Sequence, residues 1–377
     1  MKLNNEITKL INKYNVEVFS IFSFENEHNH IIKKDLPAFE KWLNDNANAE
    51  MDFLKNNIEV RKDPNLILKN VKNAIIFLFP YSAGHRVRGK GKIDSDNLKF
   101  VFNENSIISK KLISRYVFGK DYHKVIKKYL NNISNDINNY FNDKYSFRAV
   151  VDSVPFFDRA YARESGIGFV GKNTMLIRPG MGSFFFVATL LTTAPIELLK
   201  YKSEDLSNRI LSLDCGDCQK CLDSCPTQAF KKPYYLDANR CLSYLTIEHR
   251  NLVSEEYIPF FSNTIYGCDI CQEVCPYNFV TSDFKILNEF SNFHKPFLTI
   301  DVKDIALMDM SQYEKWFGGT AATRAKYEGL VRNALYHLHA TSSPDINEVL
   351  NKLEFSSYEI ISRTVKQIRE LKVSKDK

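Results

Sequence analysis

The sequence has no cysteine before residue 215 or after residue 275, and it has no long apolar run. Residues 1–24 are charged and lack the apolar core of a secretory signal peptide. The apolar run around residues 184–191 is far too short to span a bilayer. These absences predict a cytoplasmic protein without a membrane partner, a compartment in which structural disulfides are rare.

Two nucleotide-binding signatures are also absent or incomplete. The glycine-rich segment 84–92 lies among cations, but it lacks the G-x4-G-K-[ST] spacing of a P-loop. Gly166, Gly168 and Gly171 fit the pattern G-x-G-x-x-G, yet residues 160–164 before them look helical. A Rossmann fold needs a strand at that place. The sequence therefore predicts no nicotinamide-binding fold.

All eight cysteines lie in the stretch 215–276. The first run has the spacing C-x2-C-x2-C-x3-C-P, which is the pattern of bacterial ferredoxins. The second run begins at Cys268 and has Val274 where a third cysteine would stand, and Cys241 lies alone between the runs. Together they supply eight thiolates, which are enough for two 4Fe–4S clusters.

The fourth cysteine of such a run binds the other cluster. This rule assigns Cys215, Cys218, Cys221 and Cys275 to a first cluster, and Cys225, Cys241, Cys268 and Cys271 to a second. Zinc sites and disulfides are the alternatives. Zinc leaves the two Cys-Pro endings and the surplus thiols unexplained, and disulfides need a secreted context.

Positive charge is concentrated in residues 54–128, here called the basic belt. It holds seventeen Lys or Arg against six Asp or Glu, a net charge of +11, whereas the whole chain carries +6. The remainder of the chain is therefore negative. Such a belt is typical of a protein that binds a polyanion, although a solvated lysine-rich surface has the same composition.

Apolar periodicity predicts a mixture of strands and helices. Strands are expected at residues 16–24, 74–80 and 149–153, and helices at 37–46 and 121–145. The last part of the chain reads as helical, with S-x-x-E capping boxes at Ser311 and Ser356.

One helix of this tail is expected within residues 322–340. Leu330, Ala334 and Leu338 recur at four-residue steps, while Arg324, Lys326 and Arg332 lie on another face. The tail is therefore either an ordinary helical cap on the cysteine-rich region or a helical-repeat surface for nucleic acid.

Several segments together resemble the epoxyqueuosine reductases, a family of tRNA-modifying enzymes. The resemblance covers roughly residues 49–338 and is carried by the cysteine array and by segments 115–123, 151–153, 165–173, 182–183, 240–246 and 322–334. It implies a cobalamin enzyme with two 4Fe–4S clusters. Such an enzyme reduces the epoxide of epoxyqueuosine, at the wobble position of tRNA, to the cyclopentene of queuosine.

The same resemblance implies partners and site residues. The partners are the anticodon stem-loop of tRNA and an electron donor such as a flavodoxin or a ferredoxin, and a monomer is expected. Asp152 is the implied proton donor, and a dry pocket is expected to raise its pKa. Cobalamin contacts are implied at Arg61, Asp152, Lys172, Asn173, Ser183, Ser243 and Asp269. His123 is not expected to bind cobalt, because Ile126 replaces the glycine of the D-x-H-x-x-G signature.

The expected fold class is α+β. An α/β domain for cobalamin and substrate is expected over residues 1–200, a ferredoxin-like double-cluster module over 201–288, and a helical, HEAT-like region over 289–377. The nearest alternative is a reductive dehalogenase, but no twin-arginine signal is present and its small substrates leave the basic belt unused. A pure electron-transfer module would not need two hundred residues before the cysteines.

Overall fold

The computed structural model describes residues 2–82, 85–86, 105–201, 213–280 and 284–375. The glycine-rich segment 84–92 lies outside the described residues apart from one short strand, and so does about a quarter of the basic belt. None of the described helices is long and apolar enough to cross a membrane.

The described strands are β1 (Lys2–Leu3), β2 (Phe19–Ser23), β3 (Asn73–Pro80), β4 (His85–Arg86), β5 (Phe147–Val150), β6 (Phe169–Val170), β7 (Leu176–Ile177), β8 (Phe185–Thr192), β9 (Lys200–Tyr201), β10 (Phe230–Lys232), β11 (Tyr235–Leu236) and β12 (Phe279–Val280). The described α-helices are α1 (Asn5–Asn12), α2 (Phe24–Asn44), α3 (Ile58–Lys62), α4 (Tyr122–Tyr140), α5 (Asp158–Glu164), α6 (Ile196–Leu199), α7 (Lys220–Asp223), α8 (Leu242–Ile247), α9 (Ile270–Glu273), α10 (Asn288–Ser291), α11 (Val302–Leu307), α12 (Met310–Phe317), α13 (Lys326–Ala340), α14 (Ile346–Leu353) and α15 (Glu359–Lys375).

The main sheet has four strands in the order β2–β3–β8–β5, and each neighbouring pair is antiparallel. All eight residues of the central strand β3 are buried, which confirms the strand predicted at 74–80. Its side chains enter two cores in alternation, with Phe77 in one and Ile76 in the other. A continuous apolar run suits a strand that is covered on both faces. Because the sheet is antiparallel, this region is α+β rather than the expected α/β.

Helices cover both faces of this sheet. The first core contains residues of α1 and α4, whereas the second contains residues of α2 and α5. Helix α4 confirms the amphipathic helix predicted from residue 121, but it ends at Tyr140. Helix α2 is much longer than predicted and continues through Pro37. Leu36 and Leu43 are buried in α2, so packing sustains the helix across the hydrogen bond that proline cannot make.

The G-x-G-x-x-G segment confirms the exclusion of a Rossmann fold. Helix α5 precedes it, and β6, the first strand of the antiparallel hairpin β6–β7, lies within it. After the hairpin, β8 returns along the sheet, and the chain then enters the cysteine-rich region. There the one-turn helices α7 and α9 carry Cys221 and Cys271.

The predicted capping boxes of the tail were wrong. Ser311 lies inside α12, whose N-cap is Asp309, and Asp309 and Gln312 form the capping box there. Helix α15 begins only at Glu359, so Ser356 is not its N-cap residue. The first misplacement arises because Asp caps a helix as well as Ser does, and the pattern alone does not choose between neighbours.

Arg332 does not belong to a basic surface, which corrects the prediction from the tail sequence. It is 1% exposed, and its guanidinium donates hydrogen bonds to the carbonyl oxygens of Leu245, His249 and Asn251. Arginine carries five donors in a planar fork, so it can satisfy several carbonyls at the end of α8. These bonds tie α13 to the cysteine-rich region. One core runs from Ile7 to Ile368 across residues 200 and 288, and the division into three domains stays a prediction.

Candidate redox and acid–base site

Four cysteines from two distant segments meet at one cavity. Cys215, Cys218 and Cys221 come from the loop around α7, and Cys275 follows α9. The cavity is also lined by Asn173, Ile177, Lys220, Pro276 and Tyr277. These four thiols are the set that the spacing rule assigns to the first cluster, and their role as ligands stays a prediction.

The other four cysteines, Cys225, Cys241, Cys268 and Cys271, lie near one another. Burial, together with the negative charge of the neighbouring Cys241 and Cys225, raises the pKa of Cys268 to about 12. Burial and the neighbouring Cys268 and Cys241 likewise raise the pKa of Cys271 well above its usual value. All eight cysteines are free thiols, so the disulfide alternative does not occur in this structure. Among the described residues, no three His, Cys, Asp or Glu side chains are arranged to hold a single metal ion.

Backbone amides point at several of the sulfur atoms. The amide of Lys172 donates to Cys215 Sγ at 3.4 Å, and that of Ala229 donates to Cys225 Sγ at 3.3 Å. Hydrogen bonds to sulfur are one of the levers that set the potential of an iron–sulfur cluster. The amides at Cys215 and Cys225 are therefore suited to sulfur atoms that hold a cluster.

An acid–base group forms where the N-terminus of α4 meets the turn after β5. The Tyr122 hydroxyl donates to Asp152 Oδ2 at 2.5 Å, and His123 Nε2 lies 3.6 Å from the same oxygen. His123 Nδ1 lies 2.9 Å from Asp121 Oδ1, and Asp121 also caps α4 by accepting the His123 amide. The imidazole therefore stands between two carboxylates. Asp152 has a φ of 43°, so it stands in a turn directly after β5 rather than within the strand expected at 149–153.

The pKa of Asp152 is lowered, which corrects the expectation of a protonated acid. The surrounding protein opposes its ionisation, but hydrogen bonds from His123 and Tyr122 outweigh that effect. Burial also lowers the pKa of His123, yet hydrogen bonds to Asp121 and Asp152 raise it to about 9. At neutral pH the pair therefore consists of a carboxylate and an imidazolium, and the mobile proton is on His123.

Further charged groups surround Asp152. The charge of Asp152 acts on Arg61, Asp158 and Arg159. Burial, followed by the charge of Asp152, raises the pKa of Asp158 well above its usual value. Arg61 Nε and Asp158 Oδ1 are buried and have no hydrogen-bond partner among the described residues. Because buried polar atoms are nearly always paired, this place can still bind polar groups of another molecule.

The residues predicted to contact cobalamin lie in different places, and several of their side chains already bond within the protein. Arg61 and Asp152 lie in the charged group just described, and the Asp152 side chain is 66% exposed. Ser183 is buried, and its hydroxyl donates to Gln272 Oε1 at 2.9 Å. Asp269 Oδ2 accepts the amide of Arg115 at 2.9 Å.

The other three predicted contacts lie close to the cysteines. The ammonium of Lys172 donates to Gly216 O at 2.6 Å, and the amide group of Asn173 donates to Cys271 O at 3.1 Å. Ser243 lies in the first turn of α8, two residues after Cys241.

Four charged or polar residues of the site were not predicted from the sequence. Tyr122 and His123 lie in a segment that carries the family resemblance, so the signal was present without a role attached to it. Asp158 and Arg159 had no distinguishing pattern, because only the fold brings α5 close to the turn at Asp152.

The chain matches two family models. One is described as "Epoxyqueuosine reductase QueG, DUF1730" and matches residues 61–153, which include Tyr122, His123 and Asp152. The other is the "4Fe-4S double cluster binding domain", and it matches residues 214–278 with all eight cysteines. The epoxyqueuosine reductase of Cellulophaga algicola is 32% identical over 304 residues, which are 81% of this chain and 89% of that protein.

The chain belongs to the epoxyqueuosine reductase family. This membership confirms the resemblance inferred from the sequence, and it makes the protein an oxidoreductase.

Solved structures of epoxyqueuosine reductases share the fold. The enzyme from Streptococcus thermophilus aligns with a TM-score of 0.73 at 24% identity and covers 96% of this chain and 87% of that chain. A second solved enzyme, in complex with an epoxyqueuosine-modified tRNA-Tyr stem loop, aligns with a TM-score of 0.73 at 23% identity. That alignment also covers 96% of this chain and 87% of the other.

Proposed function

We propose that this protein reduces epoxyqueuosine in tRNA to queuosine, using two 4Fe–4S clusters and cobalamin. The observation that carries the proposal is the charged His123–Asp152 pair in the same fold as eight free thiols. An electron-transfer module needs the thiols but has no use for the acid–base pair. The membership in the epoxyqueuosine reductase family supports the same reaction.

The reaction consumes two electrons and two protons. Two carbon–oxygen bonds of the epoxide break, a carbon–carbon double bond forms, and the oxygen leaves as water. The electrons come from a small carrier such as a flavodoxin or a ferredoxin, and the clusters pass them on one at a time. Cobalamin, when bound, supplies chemistry at the carbon that side chains cannot perform.

The residues around Asp152 fit a large polar cofactor. Arg61 Nε and Asp158 Oδ1 offer unused hydrogen-bonding capacity, and Asp152 and Arg159 are exposed beside them. We propose that Arg61 and Asp152 bind cobalamin through their side chains, and Ser243 and Asp269 from the side of the second cluster. The side chains of Lys172, Asn173 and Ser183 are bonded within the protein, so these residues would contribute through backbone atoms or by positioning.

The protein's own residues supply the proton for the departing oxygen. His123 holds the proton at neutral pH, Asp121 fixes the imidazolium from the other side, and Asp152 is the more exposed member of the pair. Tyr122 donates to the same carboxylate oxygen and is stacked on Phe186 with the ring centroids 4.1 Å apart. His123 and Asp152 therefore act as one coupled acid.

The tRNA would bind through phosphate contacts to lysines of the basic belt. Lys110, Lys111, Lys120 and Lys124 are exposed in the described part of the belt. Arg324, near the start of α13, is also about half exposed, and the charge of Asp152 acts on it. The wobble base would turn out of the stem-loop and approach the His123–Asp152 pair. We further propose that the protein is a monomer and that its HEAT-like tail supports the RNA.

Expression in a bacterial strain that lacks its own epoxyqueuosine reductase tests this function. Nucleosides from the tRNA of the complemented strain should contain queuosine, whereas the parent strain should retain epoxyqueuosine. If the protein is made with its clusters and cobalamin while epoxyqueuosine persists, the proposed function is wrong.

A further inference from the structure

The turn of the β6–β7 hairpin, residues 171–174, joins both groups of cysteines to the acid–base group, and we call it the bridging turn. We propose that Lys172 sets the reduction potential of the first cluster and that Asn173 holds the two clusters in a fixed relation. The inference rests on the two-cluster part of the proposed function. It requires neither tRNA nor cobalamin.

The bridging turn is rigid and closely packed. Gly171 N donates to Met175 O at 2.8 Å, Thr174 N donates to Gly171 O at 2.8 Å, and Asn173 Oδ1 accepts the amide of Met175 at 3.2 Å. A side chain on Gly171 would place its Cβ 2.5 Å from a methyl carbon of Ile177. A larger residue at this position would require the side chain of Ile177 or Asn173 to shift, so glycine leaves the observed arrangement of the turn undisturbed.

Lys172 holds the first cysteine loop by contacts on two sides. Its amide donates to Cys215 Sγ at 3.4 Å, and its ammonium donates to Gly216 O at 2.6 Å. Its carbonyl oxygen accepts the amide of Tyr234 at 3.0 Å, which fixes the β10–β11 hairpin against the same loop. Reduction adds negative charge to a cluster, and nearby hydrogen bonds and positive charge favour that state. Lys172 is therefore placed to raise the potential of the first cluster.

Asn173 contacts both groups of cysteines. It is 3% exposed and lines the cavity formed by Cys215 and its three partners. Its Nδ2 donates to the carbonyl oxygen of Cys271, a residue of the second group, at 3.1 Å. One buried side chain thus lies on the boundary between the two groups, where it can hold them at a fixed separation.

The bridging turn also reaches the acid–base group. Arg159 Nη1 donates to Thr174 O at 2.6 Å, and the charge of Asp152 acts on Arg159. A displacement of the turn would therefore move the cysteine loops and the surroundings of Asp152 together.

The role of Lys172 is tested by an anaerobic reductive titration of the iron-reconstituted full chain, followed by electron paramagnetic resonance. The parent should show two components, and Cys241→Ser, which is expected to keep only the first cluster, identifies which component belongs to it. Lys172→Met should move that component to a more negative potential and leave the other unchanged. Lys172→Arg keeps the positive charge, so its first-cluster potential should stay close to that of the parent.

Lys232→Met is the matched control, because it removes an equal charge from an exposed position of the nearby β10–β11 hairpin. It should leave both potentials unchanged. The proposal for Lys172 is overturned if Lys172→Met keeps its iron and both potentials, or if Lys232→Met shifts the first component equally.

The role of Asn173 is tested by the magnetic interaction between the two reduced clusters. Asn173→Ala should change the splitting of the resonance spectrum, because the clusters are no longer held in one relation. If Asn173→Ala does not fold, Asn173→Asp replaces it, because aspartate keeps the size of the side chain and removes the donor to Cys271. The same change in splitting is expected. A spectrum identical to that of the parent in the folded variant contradicts the bridging role.

Discussion

His123 stands between two carboxylates, and this position decides where the proton of the site resides. Asp121 fixes the imidazole at Nδ1, while Asp152 lies beyond Nε2. The pKa of His123 is raised to about 9 and that of Asp152 is lowered, so the proton is on the base rather than on the acid. A charged pair of this kind titrates as a unit, and its acid form persists through neutral pH.

Activity should therefore fall as the pH rises through about 9, where the raised pKa of His123 predicts loss of the imidazolium proton. The check is kcat/KM measured anaerobically against pH. His123→Gln should be much less active and should lack this alkaline limb, whereas Asn135→Gln, an exposed change on the same helix but outside the basic belt, should keep the parent profile. An unchanged alkaline limb in His123→Gln contradicts the assignment.

Asp152→Asn should reduce turnover by roughly a hundred- to ten-thousand-fold, the usual effect of losing a general acid. The substitution keeps the size of the side chain, and asparagine tolerates the φ of 43° at this turn. The variant should therefore fold, retain its iron and bind cobalamin, as absorption spectra can show. Turnover equal to that of the parent would make Asp152 a structural turn residue.

Among the secondary-structure elements, the short cysteine-bearing turns depend on one another across the sequence. Cys275 follows α9 but lines a cavity with the cysteines around α7. Cys241 precedes α8 and lies near Cys225 and Cys268. Neither group can form from a single segment, so the first cluster would tie α7 to α9, and the second would tie α7, α8 and α9 together.

The reconstituted protein should hold about eight irons per chain, from two four-iron clusters. Cys241→Ser should disturb only the second cluster, because the first group of cysteines does not include it. Iron analysis and the visible spectrum of the two proteins measure this difference. A zinc-only preparation, or full iron retention with an unchanged spectrum in Cys241→Ser, contradicts the crossed ligand scheme.

Helix α13 depends on a buried arginine. Arg332→Met should lower the free energy of unfolding by on the order of 3 kcal/mol, because it leaves several buried carbonyls of the α8 region without a donor. Urea denaturation monitored by circular dichroism measures the change. Arg363→Met removes an exposed arginine that pairs with Glu359 on α15, and it should have little effect. Equal stability of the two variants would contradict the structural role of Arg332.

At the scale of the whole molecule, the basic belt is the surface proposed to bind tRNA, so tRNA binding should depend on salt. Phosphate contacts release counterions, so affinity should fall steeply as ionic strength rises. Reversing the charges of Lys110 and Lys111, or of the cations in segment 86–92, should weaken binding without altering the iron spectrum. Lys9→Glu, an exposed change on α1, is the control. If the affinity for tRNA changes neither with salt nor with these charge reversals, the belt is a solvated surface that does not bind tRNA.

Local patterns predicted more of this molecule than long-range contacts did. The cysteine spacing, the buried strand β3 and the helix α4 are readable from short windows, because their periodicity or ligand geometry is local. The pairing of Tyr122 with Asp152 spans thirty positions of the chain and depends on how α4 packs against β5. The burial of Arg332 was missed for the same reason, since its partners belong to a different segment.

The most direct test of the central claim is the nucleoside composition of tRNA after anaerobic reaction in vitro. The protein, reconstituted with iron, sulfide and cobalamin, is mixed with a strong reductant and with tRNA from a strain that accumulates epoxyqueuosine. Mass analysis should show epoxyqueuosine replaced by a nucleoside lighter by one oxygen atom, queuosine, and Asp152→Asn should convert far less in the same time. If epoxyqueuosine remains intact while the protein holds both clusters and cobalamin, the account is contradicted.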